Sequence, residues 1–110
     1  MKKQSKSINL VCFGFGLTAQ YFVKELLKNK YKVNLITTSR SKVLNKKFGR
    51  ITYKNFYFED YKFDQKIIKY ILSATHILIS IPPRDRKDFV AENFYNEIVL
   101  NKKIKWLAYL

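Results

Sequence analysis

Residues 8–13, INLVCF, form a short apolar run of the kind that builds a strand covered on both faces. The period then changes over 17–28. Ala19, Phe22, Val23, Leu26 and Leu27 share one helical face, with Gln20, Lys24, Glu25 and Lys28 opposite. KVNLITT at 32–38 is rich in β-branched residues and predicts a second strand. The basic connector SRSKVLNKKFGR follows, with a helical turn expected around 43–47. ITYKNFYF at 51–58 predicts a third strand, and Phe63, Ile67, Ile71 and Ala74 mark a helix over 61–74. HILISI at 76–81 predicts a fourth strand, stopped by Pro82-Pro83. Asp85 is the expected N-cap of a helix reaching about Asn101 and burying Val90, Phe94 and Ile98, with Asp88 in its first turn. KWLAYL at 105–110 predicts a fifth strand.

The order β-α-β-(short α)-β-α-β-α-β implies parallel strands joined by right-handed crossovers, with helices on both faces. The expected fold class is therefore α/β: a three-layer, Rossmann-type doubly wound parallel sheet of about five strands in the order 3-2-1-4-5. A chain of 110 residues supports one domain, here 1–110. Ligands bind such sheets at the carboxyl ends of the strands, beside strand one.

Composition narrows the function classes only in part. A hydrophobic content of 47% favours a packed core over disorder, and no apolar run approaches the ~18 residues of a membrane span. Cys12 is the single cysteine, which excludes an internal disulfide and fits a cytoplasmic protein. Lys and Arg number 22 against 8 acidic residues, a net charge of +14 that attracts polyanions. The basic residues are scattered from end to end, however. Lys, Asn, Ile, Tyr and Phe, all with codons rich in A and T, make up about half the chain, so mutational bias alone yields such a surface. Nucleic-acid binding is accordingly kept as an alternative, not the main reading.

The stretch LVCFGFGLTA carries the chemistry. As the core of a secretory signal after MKKQSK it lacks a good cleavage site, since LTAQ is a poor one. As an RNA-binding aromatic-glycine strand it has Phe13 where a basic residue belongs and Leu17 where a Phe belongs. The third reading fits better. Gly14-x-Gly16-x-x-Ala19 follows a predicted buried strand and opens an amphipathic helix, the setting of a dinucleotide pyrophosphate turn. Gly14 then permits the tight turn and Gly16 the approach of phosphate to backbone. Ala19 permits close helix–strand packing, and the helix dipole favours the anion. An NAD site places Asp or Glu at the end of strand two, but no acid occurs between Glu25 and Glu59. The strand ends instead in Thr37-Thr38-Ser39-Arg40-Ser41-Lys42, where Arg40 is suited to a 2′-phosphate and Ser39 or Ser41 to donating a hydroxyl. NADP is therefore the expected cofactor, ahead of NAD.

NLVCFGFGLTAQYFVKEL, LITTSRS, THILISIPPRDRKD and IKWLAYL together resemble successive blocks of the atypical, extended short-chain dehydrogenase/reductase superfamily. The branch they resemble is that of NAD-dependent epimerase/dehydratase, or nucleoside-diphosphate-sugar epimerase-like, proteins. The resemblance runs over essentially the whole chain but only over the amino-terminal part of the family, so a domain truncated after strand five is expected. It implies that Gly14, Phe15, Gly16, Leu17 and Thr18 line the pyrophosphate, that Ser39 and Arg40 face the adenosine ribose or its phosphate, and that Ser80, Ile81 and Pro82 pass near the cofactor.

Catalysis is not implied. The superfamily's Tyr-x-x-x-Lys pair, which exchanges a proton as hydride moves, is missing: Tyr21 is followed four positions on by Glu25, and Tyr61 by Gln65. His76 reads as structural, no Cys/His cluster suggests a metal, and Asp85 with Asp88 reads as helix capping. The expectation is an NADP-binding oxidoreductase- or epimerase-like domain that is not catalytic alone. Its partner would be a second chain supplying the missing half, or a second copy joined through the strand-five edge. A non-catalytic regulatory module is the other alternative.

Overall fold

A computed structural model of the chain describes residues 6–82 and 85–110. Pro83, expected to help stop the fourth strand, lies outside them. The elements in order are β1 (Ser7–Phe13), α1 (Leu17–Lys28), β2 (Lys32–Ser39), β3 (Asn45–Phe48), β4 (Ile51–Glu59), β5 (Lys62–Phe63), α2 (Ile67–Ser73), β6 (His76–Ile79), α3 (Phe89–Leu100) and β7 (Trp106–Tyr109). The strands form one mixed sheet in the order β3-β4-β2-β1-β6-β7, with β5 paired to β4 outside that path.

The expected wholly parallel, five-stranded doubly wound sheet is therefore incorrect. The sheet has seven strands. Its β1–β2, β1–β6, β2–β4 and β6–β7 pairs are parallel, whereas β3–β4 and β4–β5 are antiparallel. Two local events account for the difference. The connector after β2 does not coil at 43–47. Gly49, at φ +59, reverses the chain so that Phe48 pairs with Ile51 and Asn45 with Lys54. Asp60, at φ +55, then turns the chain back so that Phe63 pairs with Phe58. Phe63 settles on Phe94 with ring centroids 4.7 Å apart, so the expected helix over 61–74 is reduced to α2.

Period-two alternation divides the core. Val11 and Phe13 of β1 face α2 and α3 together with Ile36, Phe56, Phe58, Ile77 and Ile79. Ile8, Leu10 and Cys12 face α1, whose Ala19 and Val23 are fully buried. Helix α3 starts where Asp88, not Asp85, caps it: Asp88 Oδ1 accepts from the amides of Val90 and Ala91 at 3.0 and 3.1 Å. Asp85 sits just before it at φ +53. No helix among the described residues is long and apolar enough to cross a membrane.

Candidate functional site

The turn from β1 into α1 sits at the carboxyl ends of the parallel strands. Gly14 adopts φ +85, and its amide donates to Thr38 Oγ1 at 3.2 Å. A Cβ there would meet Ser80 Oγ at 3.0 Å and Ile81 Cγ1 at 3.2 Å. Folding alone thus demands glycine at 14. Gly16 is different. Its backbone (φ −78, ψ −172) suits any residue at a helix N-cap, and a Cβ would find nothing within 4 Å among the described residues. No side chain caps α1 and no acid lies in its first turn, so its first amides lack intrahelical acceptors at a positive dipole end. The Gln20 side-chain amide donates to the Phe15 carbonyl at 3.1 Å and braces the turn.

Beside this turn lies a cleft of about 360 Å³ lined by Gly14, Phe15, Thr38, Ser39, Arg40, Phe58, Glu59, Asp60, Ile81, Pro82 and Phe89. It gathers the sequence-predicted Gly14, Phe15, Ser39, Arg40, Ile81 and Pro82. Gly16, Leu17 and Thr18 are exposed at the start of α1 and do not line it, Leu17 being 84% exposed. Ser80 does not line it either. Its amide and hydroxyl both donate to the Phe13 carbonyl, at 2.9 and 3.2 Å, and so tie the end of β6 to β1.

Sequence reasoning missed the acids. It searched for a carboxylate at the end of β2, but the parallel register sets Ser39 opposite Tyr57 and so brings the next strand's Glu59 beside Arg40. Arg40 Nε stands 4.0 Å from Glu59 Oε2, an exposed pair. Glu59 Oε1 accepts from the Tyr57 hydroxyl at 2.9 Å. That hydrogen bond, helped by burial and by the Glu59 and Asp60 charges, pushes the Tyr57 phenol above its ordinary value despite the opposing Arg40. The signal that could have found Glu59 was the Glu59-Asp60 pair closing the aromatic run of the third strand.

A second cavity, of about 310 Å³, adjoins the first through Phe15 and Ser39, and its other walls are Gln20, Thr37, Lys46, Lys47, Phe48, Tyr53 and Asn55. Phe15 packs edge-on against Phe48 at 5.2 Å and against Tyr53 at 5.5 Å, so its ring joins the turn to the β3–β4 hairpin. Asn55 is buried and fully engaged. Its carbonyl accepts from Thr37 Oγ1 at 2.9 Å, and its amide donates to the carbonyls of Ser41 and Val43, each at 3.2 Å. The Ser39 and Ser41 hydroxyl oxygens accept from the amides of Ser41 and Val43 at 3.2 and 3.1 Å, leaving their protons available to an anion.

The remaining reactive side chains lie elsewhere. Burial pushes the Cys12 thiol up to about 12, which keeps it protonated and inert. Burial, then the Lys105 charge, lowers the His76 imidazole, whose Nδ1 lies 2.8 Å from Thr75 Oγ1. Tyr109 donates to Asp88 Oδ2 at 3.0 Å, and burial followed by that bond raises its phenol. No group of three or more metal-ligating side chains occurs among the described residues. No protein-family model matches the chain, and no curated protein matches it.

Proposed function

We propose that this chain is a dinucleotide-binding domain, selective for NADP over NAD, of the epimerase/dehydratase-like oxidoreductase kind. The supporting observation is Gly16. Among the described residues nothing requires glycine there, and a side chain would project into open space at an uncapped helix start, beside a cleft at the carboxyl ends of parallel strands. An exposed turn that no side chain occupies, with backbone donors behind it, suits a pyrophosphate. Gly16, Leu17 and Thr18 would hold the pyrophosphate through their amides, and Gly14 would shape the turn. Ser39 and Arg40 would flank the adenosine ribose, with Ile81 and Pro82 along the remainder of the cofactor. When bound, the nicotinamide supplies hydride chemistry. The turn and cleft support cofactor binding alone.

The test is a thermal-shift titration of the chain with NADPH and NADH, repeated on Gly16→Asp. Aspartate at this N-cap supplies the missing cap and a favourable charge, adding about 0.5–1 kcal/mol of stability. It also places a negative side chain where phosphate would lie. The expected result is a higher melting temperature without cofactor and loss of the cofactor-induced shift. Absence of any shift with either cofactor on the unaltered chain would overturn the proposal. The +14 charge favours a second reading, polyanion binding. A short RNA belongs in the same titration, and retention of its shift only at low salt would mark charge alone.

A further inference from the structure

We propose that Lys46, presented by the β3–β4 hairpin, selects the 2′-phosphate of NADP, receiving it in the cavity between that hairpin and the start of α1. The inference rests on the dinucleotide reading above and deepens it.

The two adjoining cavities differ in charge. The cleft around Arg40 contains Glu59 and Asp60, and Arg40 itself points its Nε toward Glu59 at 4.0 Å. A phosphate dianion entering there would compete with Glu59 for the guanidinium. The cavity beyond Ser39 is lined by Lys46 and Lys47 and, among the described residues, by no acidic one. Ser39 borders both, so a ribose held at Ser39 has one neighbouring space whose guanidinium already faces an acid and another with two ammonium groups. A 2′-phosphate belongs in the second.

Lys46 is also the better placed of the two lysines. Strand β3 alternates, with Lys46 and Phe48 half-buried and Asn45 and Lys47 exposed. Phe48 packs on Phe15 on the α1 side of the sheet, so Lys46 shares the side on which the glycine turn opens. The hairpin bearing Lys46 is fixed by buried polar contacts. Asn55 holds the carbonyls of Ser41 and Val43, and its own amide donates to the Leu44 carbonyl at 2.7 Å. The Lys46 side chain makes no hydrogen bond or ion pair with the described residues, so its charge is unspent among them. A charged group on a rigid element, facing an acid-free cavity next to the ribose position, suits discrimination by a single phosphate.

The experiment titrates the 110-residue chain with NADPH, NADH and adenosine 2′-phosphate, then repeats all three on Lys46→Gln, Lys46→Arg and Arg40→Gln. Lys46→Gln is expected to weaken NADPH and adenosine 2′-phosphate at least tenfold while leaving NADH within about twofold, the loss of one charge-assisted contact. Lys46→Arg should restore most of the affinity, which separates loss of charge from damage to the hairpin. Arg40→Gln should change the NADPH-to-NADH ratio by less than about threefold, the effect of an exposed, partly compensated charge. An unchanged ratio in Lys46→Gln, a preference abolished by Arg40→Gln alone, or equal binding of both cofactors by the unaltered chain would each overturn the role of Lys46 while leaving cofactor binding intact. Failure of both cofactors to bind the unaltered chain would instead overturn the dinucleotide reading itself.

Discussion

The β1–α1 turn and the β3–β4 hairpin flank the same crevice but are fixed by opposite means. The turn is shaped by missing side chains: Gly14 has no room for a Cβ, and Gly16 leaves space unfilled. The hairpin is held by a side chain. Asn55 of β4 bonds to Thr37 in the neighbouring strand and to two carbonyls of the connector. The need for glycine at 14 is set by Ser80 and Ile81, far away in sequence, yet it shows as the glycine itself, whereas the Asn55 network joins residues 12 to 18 positions apart without a comparable mark. A binding crevice can therefore have one wall marked in the sequence by its glycines and another marked by no residue of its own.

The largest effect should come from Asn55→Leu. The change leaves a buried Thr37 hydroxyl and two connector carbonyls without their partner, a loss of about 3 kcal/mol. Amide exchange should rise first across Asn45–Phe48 while the β1–α1 turn stays protected. Equal deprotection of both walls would show that the hairpin is not separately anchored.

A pair of glycine variants probes the other wall. Gly14→Ala puts a Cβ at φ +85 against Ser80 and Ile81, and should cost about 2 kcal/mol. Gly16→Ala meets nothing and should lose only the small advantage of glycine over alanine at an N-cap, about 0.5 kcal/mol. Urea denaturation of the two proteins should separate them by more than about 1 kcal/mol. Similar midpoints would remove the distinction between a glycine required by folding and one left open for a ligand.

The same contrast explains what the sequence revealed. Helix α1 spans the residues its periodicity marked, because apolar spacing and the glycine turn act on neighbouring residues. The hairpin was mistaken for a helical turn because Val43, Leu44 and Phe48 offer no period strong enough to show that Asn55 and Phe15 would capture the segment. Phe63 was counted on a helical face for a similar reason. Its spacing to Ile67 suited a helix, yet its contact with Phe94 lies 31 positions away in sequence and prevailed. In the candidate site, Gly14, Ser39 and Arg40 could be found from one strand and its following turn. Glu59 and Lys46 could not, because the register between strands decides that they flank Ser39.

A small stability effect should come from Glu59→Ala, which tests the acidic side of that crevice. Its contact with Arg40 is exposed and at the outer limit of an ion pair, so unfolding should shift by less than about 1 kcal/mol. The Tyr57 phenol should respond clearly. Its hydrogen bond to Glu59 is the main cause of its upward displacement, so the phenolate absorbance midpoint should fall toward the ordinary tyrosine value. The sign follows from the raised phenol: its contribution to stability is present below the ordinary tyrosine range and is lost as pH rises through the folded-state value, and the variant should lose this dependence. Cofactor binding gives the decisive contrast. If Arg40 held the 2′-phosphate, removing its competing carboxylate would selectively strengthen NADPH. With Lys46 holding it across Ser39, NADPH and NADH should strengthen nearly together and only slightly, because the deleted charge acts at longer range, chiefly on the pyrophosphate that both carry.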